Sequence, residues 1–97
     1  MATPTEIKLS KPITYEDIEY TVLRLDLDGL TGNDLLKAEK EFVLAGGRAN
    51  VPELSKGYLS IVAAKASKVP TELIHALPAR DFSRVTLAAQ DFLFGME

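Results

Sequence analysis

The chain predicts an α+β fold: an N-terminal antiparallel two-stranded ribbon or small sheet packed on a mainly α-helical bundle of three longer helices and one short helix. Three observations lead there. Polar–apolar alternation of period two is concentrated before Asp28, in Glu6-Ile7-Lys8-Leu9-Ser10 and Ile18-Glu19-Tyr20-Thr21-Val22. Helix-start residues punctuate everything after it, at Thr31, Asn50, Pro70 and Pro78. Finally, no linker, repeat or low-complexity tract divides the chain, so residues 1–97 read as one domain, with the ribbon over about 6–28 and the helical part over about 32–95.

Residues 1–5 are expected to fray. Pro12 removes a ladder donor, which confines the first strand to an edge or ends it. In the second strand, Ile18 to Val22 alternate with one parity and Leu23-Arg24-Leu25-Asp26-Leu27 with the other. A parity change between Val22 and Leu23 means either a bulge or a strand buried on both faces. Thr14 to Asp17 contains no Asn-Gly or Asp-Gly, which predicts a turn looser than a type I′ hairpin.

Thr31 with Asp34 three residues on resembles a capping box, opening a helix over about 32–45. Its apolar face is predicted to be Leu35, Leu36, Phe42 and Val43, with Glu39 in the middle, and Gly46-Gly47 supplies a left-handed stop. Asn50, Pro52 and Glu53 signal a second helix over about 51–67. The arc of Leu54, Tyr58, Leu59, Ile61, Val62 and Ala66 is wider than a surface helix needs, which makes this the central helix. Gly57, Ser60 and Ala64 on its other side either admit another helix closely or face water, with water the preferred reading. Lys65 lies within the arc, so Lys65 and Glu39 must each reach out to solvent or pair with one another.

Pro70 opens a short helix and Pro78 a long closing one, since proline at a helix start loses no hydrogen bond. Taking 100° per residue, Phe82, Val85, Ala89, Phe92, Leu93 and Met96 fall on one core arc, with Arg80, Arg84 and Asp91 opposite. Leu87 and Phe94 miss that arc. They are either scattered exposed apolar residues or a strip that binds a partner.

Composition excludes several chemistries. The chain lacks cysteine, so it has neither disulfides nor thiolate metal sites, and it fits a reducing compartment. Its net charge of −3 comes from the first half, with nine acids against six bases up to Asn50 and five against five after it. That balance argues against a nucleic-acid surface, and no apolar run approaches the roughly 18–20 residues that cross a bilayer. His75 is the single histidine, and no serine lies in a nucleophile-elbow context. Glu16, Asp17, Glu19, Asp26 and Asp28 lack the spacing of a calcium loop. No catalytic, cofactor or metal site is expected.

The segments taken together resemble the small tail assembly chaperones of long-tailed bacteriophages and prophages. The likeness rests on Ile7-Lys8-Leu9-Ser10-Lys11-Pro12, Val22-Leu23-Arg24-Leu25 through Leu30 to Leu36, Tyr58 to Ala66, Leu73 to Leu77, Pro78 to Phe82, and Asp91-Phe92-Leu93. The resemblance implies a non-catalytic protein that binds the tape measure protein and helps recruit tail tube subunits. It would act in the host cytoplasm, be absent from the mature virion, and form a homo-oligomer in some arrangements. Leu87 and Phe94 are the candidate contact residues. The rival readings are a small phage regulator binding nucleic acid or a host protein, and a structural tail or head–tail component.

Overall fold

Alternation at the start of the chain builds the predicted ribbon. The structure, a computed structural model, describes residues 5–95, apart from the side chain of Glu53. Strands β1 (Thr5–Tyr15) and β2 (Ile18–Leu25) pair antiparallel and lead through a 3-10 turn (Leu27–Gly29) to α1 (Gly32–Leu44). A second 3-10 turn (Pro52–Leu54) precedes α2 (Lys56–Ser67), short α3 (Thr71–His75) and α4 (Ala79–Leu93). This is the α+β arrangement the sequence predicts. Thr5, expected to fray, already belongs to β1, while Met96 lies outside the described residues.

The hairpin is tighter than its sequence predicts. Glu16 (φ 51°) and Asp17 (φ 68°) are both left-handed, and Tyr15 pairs with Ile18 across them. Two central residues of positive φ make a type I′ turn, whose twist matches that of the strands. Aspartate takes this conformation more readily than glutamate, so at Glu16 the pairing of the strands overrides local preference.

The ribbon also breaks register. Lys8 faces Val22 and Ile13 faces Tyr20, which leaves Leu9 to Pro12 opposite Thr21 alone. Val22 is half-buried and Leu23 buried, so the parity change in β2 is present, but the surplus residues lie in β1. Pro12 sits inside this irregular stretch, where a missing N–H costs no ladder bond.

The break is held by α4. Asp81, in the first turn of α4, is fully buried, and its carboxylate accepts from the Ser10 N–H at 3.0 and 3.1 Å and from the Ser10 hydroxyl at 2.9 Å. Arg84 donates to Asp81 at 3.3 Å and to the Lys8 carbonyl at 2.7 Å. The negative charge is therefore balanced by a guanidinium and by the helix N-terminus.

Helix α2 is the pivot. Tyr58, Leu59, Ile61, Val62, Ala63, Ala64 and Ala66 are all buried, as is Ser60, and α1, α3, α4 and β2 pack against it. The start signal at Asn50 opens only the 3-10 turn; extended Ser55 (φ −100°, ψ 124°) separates that turn from α2. Leu54, expected on the core arc, is 63% exposed as a result. At its other end, Lys68 takes the left-handed cap (φ 59°), and Val69 N–H reaches the Ala64 carbonyl at 3.1 Å.

Helix α1 begins with the predicted capping box. Asp34 N–H donates to the Thr31 hydroxyl at 3.3 Å and Thr31 N–H to the Asp34 carboxylate at 2.9 Å. It ends in a Schellman stop, in which Gly47 N–H bonds Phe42 O at 2.9 Å and Gly46 N–H bonds Val43 O at 3.0 Å. Of the predicted apolar face, Phe42 and Leu35 turn inward and Leu36 and Val43 do not. Ala38 and Phe42 are buried and Leu35 half-buried, whereas Leu36 and Val43 are exposed. Phe42 sets that rotation: its ring lies where a Cβ on Gly47 or Gly57 would come within 2.2 or 2.8 Å, and edge-on to Tyr58 at 6.3 Å. Of the small residues of α2, Ser60 and Ala64 are buried, against the preference for water, while Gly57 lies beside Phe42 and stays exposed. Glu39 is exposed, and Lys65 pairs with Glu41 at 2.6 Å.

Two stability predictions follow from these contacts. Asp81→Ala removes the buried carboxylate that Ser10 and Arg84 share and is expected to cost about 2–4 kcal/mol in urea unfolding, against about 1 kcal/mol for Ser10→Ala. Equal small losses for both would show that the clamp contributes little. The Asp34 carboxyl is held below its usual range, first by the Thr31 N–H. A depressed folded value means that the unfolded chain takes up the proton first. The stabilisation is therefore present at neutral pH and is lost from about pH 4 downward. Asp34→Asn is expected to flatten that part of the Tm–pH curve, and an unchanged acid limb would refute the linkage.

Candidate functional site

Helix α4 forms because Pro78 caps a run whose buried side is Val85, Ala89, Asp81 and Thr86, with Phe82 and Leu93 half-buried. Thr86 is buried without penalty because its hydroxyl donates to the Phe82 carbonyl at 3.0 Å and accepts from Lys56 at 3.4 Å. Phe92, expected on the core arc, is 39% exposed. Opposite the buried arc stand Leu87 and Phe94, 53% and 48% exposed. They lie close to one line along the helix, two turns apart. Leu54 joins them from the 3-10 turn, since Leu54, Lys56, Leu59, Thr86, Leu87 and Gln90 line one shallow depression of about 220 Å³.

A second uncovered set lies on α1, where Leu36, Val43 and Leu44 flank Glu39 and Lys40. Sequence reasoning assigned Leu36 and Val43 to the core. The pair Ala38 and Phe42 was the overlooked signal, because a small and a large residue four apart fit a helix that closes on glycines.

A third depression, an open groove of about 350 Å³, runs between the end of α1, the start of α2 and α3. Phe42, Gly57 and Ile61 are among its apolar lining and Glu41, Glu72 and His75 among its polar lining. His75 Nε2 lies 3.0 Å from the Ser60 hydroxyl, which also reaches the Gly57 carbonyl at 2.8 Å. Ser60 is fully buried, so this contact ties α3 to α2 rather than presenting a nucleophile. Nearby, the phenol of half-buried Tyr15 is pushed up by loss of water and by the charges of Glu16 and Glu72. Among the described residues no group of three or more His, Asp or Glu is placed to hold a metal ion, and no helix is long and apolar enough to cross a membrane.

The arrangement offers apolar side chains in shallow relief, which suits protein contact. A model of the family described as phage tail assembly chaperone proteins, E, or 41 or 14, matches residues 6–93. The chain belongs to this family. The match takes in β2, all four helices and all of β1 but Thr5, and it ends one residue before Phe94. Comparison with curated proteins and with solved structures gives no match. In this tail assembly chaperone, replacing Leu87 and Phe94 together by Ser is expected to shift stability by no more than about 1 kcal/mol, as at other exposed sites. A larger fall in urea unfolding would mean that both side chains support the core.

Proposed function

We propose that this chain binds an apolar helical segment of the tape measure protein before tail assembly is complete, keeps it from aggregating, and helps recruit tail tube subunits to it. The role is non-catalytic, is performed in the host cytoplasm, and leaves the protein out of the finished virion. The observation that carries the reading is the family match over residues 6–93, which makes the chain a tail assembly chaperone. The surface chemistry agrees with it. Leu54, Leu87 and Phe94 are exposed, and apolar anchors at helical spacing are what a groove-bound helix engages. The burial of Ser60 supports the non-catalytic reading, because the hydroxyl next to the single histidine is closed to substrate.

Co-expression of the cognate tape measure protein with this chain is the test. The tape measure is expected to become soluble and to be retained with the tagged chain, and the Leu87→Ser, Phe94→Ser double variant to lose most of that retention. Equal tape measure solubility with and without the chain, with none retained, overturns the proposal. Retention unchanged in the double variant would move the contact away from Leu87 and Phe94.

A further inference from the structure

Along α1 three large apolar side chains face water. Leu36, Val43 and Leu44 are 66%, 60% and 76% exposed, whereas the buried side chains of this helix are Ala38 and Phe42. Leu36 and Val43 lie on one line two turns apart, with Leu44 beside it. At 100° per residue, Glu39 flanks that line on one side and Lys40 flanks it on the other, at nearly the same height. Glu39 and Lys40 are both exposed, and Glu41, the next acid along, is already paired with Lys65.

We propose that this face is an interface for a second copy of the chain, with the two α1 helices side by side and parallel. A two-fold axis running along the seam carries the left flank of one helix onto the right flank of the other. Glu39 of each copy then faces Lys40 of the other, once on each side of the seam. Leu36 meets Leu36 and Val43 meets Val43, so apolar layers sit where the charges leave a gap. An antiparallel pair about the same seam keeps each flank on its own side, which sets Glu39 against Glu39 and Lys40 against Lys40. The opposite charges on the two flanks therefore select a parallel copy of the same helix. A partner bearing one sign of charge would satisfy only one flank. The seam is about two turns long, which places it among small, transient interfaces and makes pairing depend on concentration. This pairing stands apart from the tape measure reading, which rests on α4.

Sedimentation equilibrium of the full chain tests it, over about 10 μM to about 1 mM. The average mass is expected to rise from one chain toward two across that range, and the Leu36→Glu, Val43→Glu double variant to abolish the rise. Glu39→Lys alone is expected to weaken pairing about tenfold at low salt, and adding Lys40→Glu to restore most of it. Because the chain has no cysteine, introduced thiols report direction without interference. In a parallel pair the Leu36→Cys variant forms a disulfide with its own kind. In an antiparallel pair two such residues lie about 10 Å apart along the axis, and the disulfide forms only when Leu36→Cys and Val43→Cys copies are mixed. A monomer throughout the range, a dimer indifferent to Leu36→Glu with Val43→Glu, or cross-linking in the mixture alone overturns the proposal. A monomer that still retains the tape measure protein would do so while leaving the proposed function intact.

Discussion

The carboxylate of Asp81 is the contact on which the arrangement of ribbon and bundle depends. A two-stranded ribbon has little stability of its own, and this one is interrupted where Leu9 to Pro12 face Thr21 alone. The Ser10 N–H falls in that gap and cannot be met by β2. Asp81 meets it from a helix seventy-one residues further on, while Arg84 takes up the Lys8 carbonyl. Register break and clamp are thus two halves of one device: the break frees backbone groups, and α4 supplies partners of the right charge. A regular ladder through Ser10 would have left the buried Asp81 carboxylate with Arg84 as its one remaining side-chain donor, at a cost of several kcal/mol.

The second constraint is the crowding around α2. Four elements converge on a helix of twelve residues, and its sequence admits them by being small where they approach. Ala63, Ala64, Ala66 and Ser60 are buried with little volume of their own, and Gly57 with Gly47 forms the notch for Phe42. That notch fixes how α1 is rolled about its axis. Once Phe42 and Ala38 point inward, Leu36, Val43 and Leu44 must point out. Exposure of the α1 strip is therefore a consequence of the packing of Phe42, not a separate choice.

The element order and most boundaries were legible because caps and periodicity are local. Thr31 with Asp34, Gly46 with Gly47, Pro70 and Pro78 act within a few residues of themselves. What sequence reasoning misplaced depends on residues far apart in the chain. The roll of α1 is set by Gly57, the burial of Asp81 by Ser10, and the left-handed Glu16 by strand pairing on both sides of it. Lys65 was read as reaching solvent or pairing with Glu39, whereas it pairs with Glu41, the acid that lies within reach once α1 is turned. Leu87 and Phe94 were legible as uncovered because the buried arc of α4 is anchored by Val85 and Ala89, both apolar and both in the middle of the helix.

The distribution of side-chain size bears on function. Nearly half of the chain is hydrophobic, and its most enclosed helix buries three alanines and a serine beside Tyr58, Leu59, Ile61 and Val62. Leucine, valine and phenylalanine are displaced to the outside of α1, the 3-10 turn and α4, at Leu36, Val43, Leu44, Leu54, Leu87 and Phe94. In a protein that acts by chemistry, such residues on open helix faces are a liability for aggregation with no return. In one that acts by contact, as proposed for this chain, they offer apolar surface to a partner. The charges set between them divide the two surfaces: opposite signs flank the α1 seam, which favours its own copy, while the depression at Leu54 and Leu87 has Lys56 and Gln90 in its lining and carries no such self-matching pattern. On the two readings proposed above, one face meets a second copy and another meets the client, and the two strips belong to different helices held by the same pivot.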